Sequence, residues 1–255
     1  MDRIIVLGSC SGTEPTPGRY HTSIVFQIGE SVYFFDAGEN CSRAAHLGGI
    51  NLLNTRAVFI SHTHYDHIGG LAGLFWTIRK LNKVTKQPTS YDPIRMIIPD
   101  LTAFEHIIAM LRCTEGGFKC KFGIDASETA AGVIYRDENI TVTAFPNNHL
   151  PYADGKPQSY TFRIECCGKT IVFTGDFKQP DEITPAMDGC DLLLCETGHH
   201  PVSEICEFAE KTGVKKLVFV HHGREILDAR PTVAAALDAC TVPTIVSVDG
   251  TELPL

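Results

Sequence analysis

Short apolar runs that end in metal-binding residue types constrain this chain more than any other feature. The run over 32–35 stops at Asp36, and 57–61 stops at His62-Thr-His64-Tyr-Asp66-His67. The run over 141–145 leads into Asn147-Asn148-His149, and 171–174 stops at Gly175-Asp176. Two later runs, 192–195 and 217–220, stop at Glu196-Thr-Gly-His199-His200 and at His221-His222. Most of the eleven histidines sit in these tails. Apolar runs of four to six residues read as buried strands. A sheet that gathers their C-terminal ends along one edge collects imidazoles and carboxylates, the donors of divalent-metal sites.

The densest tail is 62–67. Histidines at i and i+2 of an extended segment leave on one side and can share an ion, while Asp66 and His67 turn toward a second position. Gly69-Gly70 then allow a tight turn into a helix. Four ligand-type side chains within six residues after a buried strand is not the pattern of a lone core histidine.

The rest of the chain fits an α/β protein. Strands are predicted over 3–7, 23–28, 31–36, 57–61, 95–99, 140–145, 159–165, 170–174, 191–195, 216–220 and 244–248. Gly29-Glu30 and Gly168-Lys169 read as hairpin turns. Helical periodicity covers 69–81, 102–111, 202–212 and 233–239, and 80–93 reads as the most loop-like stretch. With 255 residues, 44% hydrophobic and 20% charged, the composition is that of one globular domain over 1–255. Thirty acidic against 22 basic side chains give a net charge of −8, which argues against a general nucleic-acid coat protein. No apolar run approaches the ~20 residues of a membrane span. The opening residues lack the apolar region of a signal peptide, so a cytoplasmic protein is expected. Its ten cysteines contain no C-x-x-C and read as reduced, mostly buried thiols.

These tails resemble the motifs of the metallo-β-lactamase superfamily: Asp36 in Phe-Asp-Ala-Gly, H-x-H-x-D-H at 62–67, His149, Asp176 in Thr-Gly-Asp, and His221. The resemblance implies a four-layer αββα sandwich with a dinuclear metal site. One ion would take His62, His64 and His149, the other Asp66, His67 and His221, with Asp176 bridging. Two divalent ions per chain are implied, zinc first, with manganese or iron as alternatives. Asp36 would orient a ligand or the loop after Ser61. His222 competes with His221, and the Lys-Leu-Val-Phe-Val-His register favours His221.

Within the superfamily, Leu7-Gly-Ser-Cys-Ser-Gly-Thr-Glu-Pro, the segment 159–165 and Cys195-Glu196-Thr197 are similar to the ribonuclease Z branch. So is His200-Pro-Val-Ser-Glu204, which implies that His200 protonates the leaving oxygen or stabilises charge on phosphorus, and that Glu196 orients His200. Asp66 would orient or deprotonate a water shared by the metals. One departure matters: the interval from His149 to Asp176 is too short for the long tRNA-gripping arm of that branch. A small phosphodiester is therefore expected, such as a cyclic nucleotide, a cyclic ribose phosphate or a short oligonucleotide, ahead of tRNA 3′ processing. The rivals are a carboxylic ester, thioester or lactone hydrolase on the same metal pair, and a non-catalytic metal-binding sensor. A homodimer is a family-level expectation. Phe75 and Trp76 read as core, and 113–120 as a surface loop or a lid. Arg224 is either a phosphate contact or a surface arginine.

Overall fold

The computed structural model describes residues 2–255. They form two compact units: one holds the chain through Gly8, Pro17–Thr129 and Asp249–Leu255, the other Ser9–Thr16 and Ala130–Val248. In chain order the first unit runs β1 (Arg3–Gly8), β2 (Ser23–Ile28), β3 (Ser31–Phe35), α1 (Cys41–Leu47), β4 (Thr55–Phe59), α2 (Tyr65–Ile68), α3 (Leu71–Thr85), β5 (Ile94–Ile98), α4 (Leu101–Arg112) and β6 (Ile124–Glu128). The second runs β7 (Gly132–Arg136), β8 (Ile140–Pro146), β9 (Tyr160–Cys166), β10 (Lys169–Phe173), β11 (Leu192–Thr197), α5 (Val202–Thr212), β12 (Leu217–His222), α6 (Arg224–Leu227), α7 (Pro231–Ala239) and β13 (Thr244–Val246). The chain then returns to the first unit with β14 (Glu252–Pro254).

Each unit is built on one seven-stranded mixed sheet, in the orders β14-β1-β2-β3-β4-β5-β6 and β13-β12-β11-β10-β9-β8-β7. In the first, β14 to β3 pair antiparallel and β3 to β6 parallel. In the second, β7 to β10 pair antiparallel and β10 to β13 parallel. Parallel strands need crossover connections: α1, α3 and α4 supply them in the first unit, and α5 and α7 in the second, where β10 reaches β11 through two short 3-10 turns. The inner parallel strands β3, β4, β5, β11 and β12 are almost wholly buried, which explains why they read as unbroken apolar runs and not as alternation.

In the first unit Val32, Phe34, Val58, Met96 and Ile98 pack with Leu71, Leu74, Phe75 and Ile78 of α3 and Phe104 of α4. Trp76 is partly buried against the same cluster. On the opposite sheet face Phe35 stacks on Phe59, and Phe26 tilts against Phe35, each pair at 4.9 Å between ring centroids. All three rings are fully buried, and each contributes about 1.5–3 kcal/mol of burial free energy. In the second unit Val202, Ile205, Phe208 and Ala209 of α5 pack on Val172, Leu193, Cys195, Leu217 and Phe219. Asp100 starts α4 by accepting from the Thr102 N–H. Gly213 ends α5 at φ 68°, where its N–H meets the Ala209 and Glu210 carbonyls, a conformation glycine adopts without strain.

Several expectations are corrected. α3 continues through Thr85, because Asn82 is buried and its side-chain amide donates to the Gln87 carbonyl. The second hairpin turns on Cys167-Gly168 at φ 50° and 71°, and Lys169 already pairs with Cys166. β6, β7 and β14 carry no strong strand signal. All three lie at sheet edges, where side chains are half-exposed and polar residues are tolerated. The 113–120 segment is packed down as a loop: Phe118 enters the core and Arg79 donates to the Lys119 carbonyl. Arg224 forms an ion pair with Glu14. Among the described residues no helix is long and apolar enough to cross a membrane. All ten cysteines are free thiols.

Candidate metal and catalytic site

In the first unit the donors follow the parallel strands β3 and β4. Asp36 sits just past β3 at φ 56°, fully buried. Its Oδ1 accepts from the Ser61 N–H at 2.7 Å, and its Oδ2 accepts from Ser61 Oγ at 2.7 Å and lies 2.6 Å from His67 Nδ1. One carboxylate thus fixes both the loop that opens the motif and the ring that closes it. A proton on His67 Nδ1 leaves the Nε2 lone pair for an ion, and Nε2 stands 3.4 Å from Asp66 Oδ2. Ser61 Oγ also lies 3.1 Å from His62 Nδ1, which directs the Nε2 edge of that ring the same way. His62 and His64 offer ligand atoms within 4.8 Å of each other, and so do Asp66 and His67. The rings of His62 and His67 are 4.0 Å apart, and those of His62 and His64 4.6 Å. α2 starts at Tyr65, which turns Asp66 and His67 out of the extended direction of His62 and His64.

In the second unit the donors follow β8, β10, β11 and β12. Asn147 ties two of these ends together: its Oδ1 accepts from the His149 N–H, and its Nδ2 donates to the Asp176 carbonyl at 3.0 Å. His149 Nε2 lies 3.6 Å from Asp176 Oδ2, and His221 Nε2 lies 3.3 Å from Asp176 Oδ1. Asp176, Glu196, His199 and His221 bring one ligand atom each within 4.8 Å of the others.

A bulge sends His221 and His222 in different directions. Glu196 pairs with Val220 and Thr197 with His222, so His221 is the extra residue, at φ 48°. A bulge re-aims one side chain out of the strand's alternation. His221 therefore faces Asp176 and Glu196. His222 turns into the sheet, with Nε2 2.8 Å from the Ser247 carbonyl and Nδ1 3.1 Å from Thr197 Oγ1. Both nitrogens of His222 are engaged by protein. Gly198 makes room for the bulged ring, since a Cβ there would stand 2.6 Å from His221 Nδ1.

Glu196 is paired with His199 and not with His200. Its Oε1 and Oε2 lie 3.0 and 3.1 Å from His199 Nδ1, and Oε2 accepts from the Gly198 and His199 N–H groups. His200 Nε2 is 3.9 Å from Glu196 and within 3.2 Å of the Phe177 carbonyl, while Nδ1 faces Glu204. The His200 ring stacks on Phe177 at 4.3 Å. The Glu196 hydrogen bond raises the pKa of His199 against the opposing effect of its burial, with the Glu196 and Asp176 charges adding to the rise. Burial opposes ionisation of Glu196, but its bonds to His199 and His221 outweigh that and hold its carboxyl below the usual range. His199 is 44% exposed at its side chain, so this imidazole is reachable from solvent.

A cavity of about 780 Å³ opens beside these residues, lined by His149, Tyr152, Phe177, Lys178, His199 and His200 among others. Buried carboxylates that position imidazole rings, with the far ring edges converging, fit a divalent cation better than a structural hydrogen-bond network. Sequence reasoning did not single out Asn147, and it paired Glu196 with His200 where the structure pairs it with His199. The doubled Asn147-Asn148 at a strand end was the available signal for the first. Nothing in the sequence separates the second pair.

Comparison with known proteins bears on the family and the fold. Residues 34–222 match the family model described as Beta-lactamase superfamily domain. Ribonuclease Z of Methanothermobacter thermautotrophicus is 23% identical over 277 aligned positions, covering 87% of this chain and 86% of that one. The structure of human tRNase Z, short form, matches with a TM-score of 0.74 at 21% identity, over 99% of this chain and 98% of that one. The metallo-β-lactamase fold protein YhfI from Bacillus subtilis gives 0.78 at 18% identity, over 99% and 98%. Such likeness shows the fold, the αββα class expected from the motifs.

Proposed function

Because the chain belongs to the metallo-β-lactamase superfamily, as a ribonuclease Z-like member and a metal-dependent hydrolase, we propose that it hydrolyses a nucleotide phosphodiester with His199 as the general acid. His62, His64 and His149 would hold one divalent ion, and Asp66, His67 and His221 a second, with Asp176 between them and zinc the first choice. Bound there, such ions acidify a water and neutralise phosphoryl charge. The protein's own groups do the rest. Asp66 orients the attacking water and takes its proton, and Asp36 holds His67 in the tautomer that presents Nε2. His199, whose Nδ1 is held against Glu196, would deliver a proton to the departing oxygen.

The Glu196–His199 pair carries this reading. Phosphodiesters with alkoxide leaving groups need an acid, whereas activated carbonyl esters do not. The relatives' name, Ribonuclease Z, favours RNA or its fragments. The length of the substrate is a separate matter. The 277 aligned positions exceed the 255 residues of this chain, so that relative carries segments with no counterpart here. The interval from His149 to Asp176 is filled by a short loop and the β9–β10 hairpin. Both observations favour a short substrate over a folded tRNA. The ten free thiols support a reducing, cytoplasmic setting.

The test uses metal-replete protein with a dinucleoside monophosphate, bis-p-nitrophenyl phosphate, a thioester and a lactone. His199→Gln should lower turnover of the dinucleotide about 100-fold. It should lower bis-p-nitrophenyl phosphate turnover far less, because p-nitrophenolate leaves unprotonated. Metal content should not change. Turnover of thioester or lactone without either diester refutes the proposal. Cleavage of a 3′-extended tRNA with the dinucleotide untouched overturns the short-substrate reading.

A further inference from the structure

Lys178 lies two residues past Asp176 and lines the 780 Å³ cavity beside His149 and His199. It is exposed, and among the described residues no carboxylate pairs with its ammonium, although the chain carries a net charge of −8. The one carboxylate in the cavity wall is already committed. Glu182 accepts from the Asn148 N–H, from Asn148 Nδ2 and from the Lys178 N–H, which ties the loop after β8 to the loop after β10. The wall is therefore rigid, and its uncommitted charge is cationic.

Tyr152 lines the same cavity and is 53% exposed. Its place is fixed by a small hairpin. Ala153 and Lys156 exchange backbone hydrogen bonds of 3.0 and 2.8 Å in the two directions. Asp154 and Gly155 between them take φ 49° and 75°, the two left-handed positions of a type I′ turn. Ser159 Oγ anchors the base of the loop through the Leu150 N–H. An aromatic side chain is thus held in water on a hydrogen-bonded turn, in the wall of the cavity that Lys178 and His199 also line. Its volume lies within the ~300–1,000 Å³ range of small-molecule sites.

We propose that Lys178 and Tyr152 form the subsite for the nucleotide beyond the bond being cut: the base stacks on Tyr152 and a second, uncleaved phosphate sits at Lys178. The substrate is then a nucleotide bearing two phosphates, as at the end of an oligonucleotide, and not an isolated cyclic diester. This rests on the phosphodiester reading above and gives it a substrate class. Stacking of a base on an aromatic ring is indifferent to base identity. A lysine recognises phosphate as a point charge, without the directional fork of arginine.

The experiment measures binding, so it reads the subsite whether or not turnover occurs. Calorimetric Kd values for thymidine 3′,5′-bisphosphate and thymidine 5′-phosphate are compared on metal-replete protein, with metal content checked in every variant. Lys178→Met should weaken the bisphosphate about tenfold and the monophosphate less than threefold, with Lys178→Arg recovering most of the loss. Tyr152→Ala should weaken both nucleotides about tenfold, while Tyr152→Phe keeps both. Equal weakening of the two ligands by Lys178→Met, or no weakening, overturns the subsite. So does Tyr152→Ala without effect. Selective binding by a wild-type protein that turns over no diester would refute the proposed reaction and leave the subsite standing.

Discussion

Replacing Asp36 by asparagine tests how the ligand loop is held. The carboxylate offers an acceptor on both sides: Oδ1 to the Ser61 N–H, and Oδ2 to Ser61 Oγ and His67 Nδ1. An amide has only one acceptor oxygen. Placed toward the Ser61 backbone, it sets its NH2 against the proton on His67 Nδ1. Placed toward His67, it sets its NH2 against the Ser61 N–H. Either orientation leaves one fully buried donor unmatched, at a cost of about 1–3 kcal/mol. For a chain of this size that is roughly 2–4 °C of Tm per kcal/mol. The first orientation is relieved if His67 moves its proton to Nε2, which removes the lone pair needed for metal. Asp36→Asn should therefore lower the metal-free Tm by several degrees and weaken zinc about 10–100-fold in chelator competition. A variant with wild-type Tm and zinc affinity within threefold of wild type would show that Asp36 does not set the His67 tautomer.

Two further expectations follow from the second unit. Gly198→Ala puts a Cβ 2.6 Å from His221 Nδ1, against a backbone fixed by Glu196. It should destabilise the protein by about 1–3 kcal/mol and lower the bound metal per chain, read by Tm and by elemental analysis. An alanine variant with unchanged metal and Tm would mean that the bulge can relax. Glu182 gives a pH signature. Burial opposes its ionisation, but the Asn148 amide and three backbone N–H groups outweigh this and hold its pKa below the usual carboxylate value. A depressed pKa makes the stabilisation complete above the ordinary value, about 4.3, and lost as pH falls through the lowered one. The Tm gap between wild type and Glu182→Gln should be present at neutral pH and close on acidification below about pH 4. A gap that persists there contradicts the assignment.

What the sequence disclosed and what it withheld divide along physical lines. The inner parallel strands were legible because they are buried on both faces and read as runs rich in Val, Ile, Leu and Phe. Their ends were legible because each apolar run stops at an imidazole or carboxylate, as Ile60-Ser61 does at His62. The edge strands β6 and β14 were not, since half-exposed positions accept Asp, Ser and Glu with little penalty. Adjacent histidines were the hardest. In a regular strand His221 and His222 would point to opposite faces, but which face each takes depends on a bulge that no local residue preference announces. The choice between His199 and His200 turns on whether Glu196 reaches three residues or four along a loop, which backbone geometry alone fixes. Lys178 and Tyr152 carry no motif and emerge only when the loops after β8 and β10 line one cavity.

The extra residue in β12 has a consequence for how this protein tolerates change. The sheet's pairing passes over His221: Val220 and His222 hold the ladder on either side, and His221 stands outside the count. Substitutions that refine the apolar contacts of Leu217, Val218, Phe219 or Val220 leave the direction of His221 alone. The loss or gain of a single residue between 217 and 222 does the opposite. Removing one lets the strand pair without interruption and hands the outward position to a neighbour. The direction of His221 is thus robust to spelling errors in its strand and fragile to errors of length.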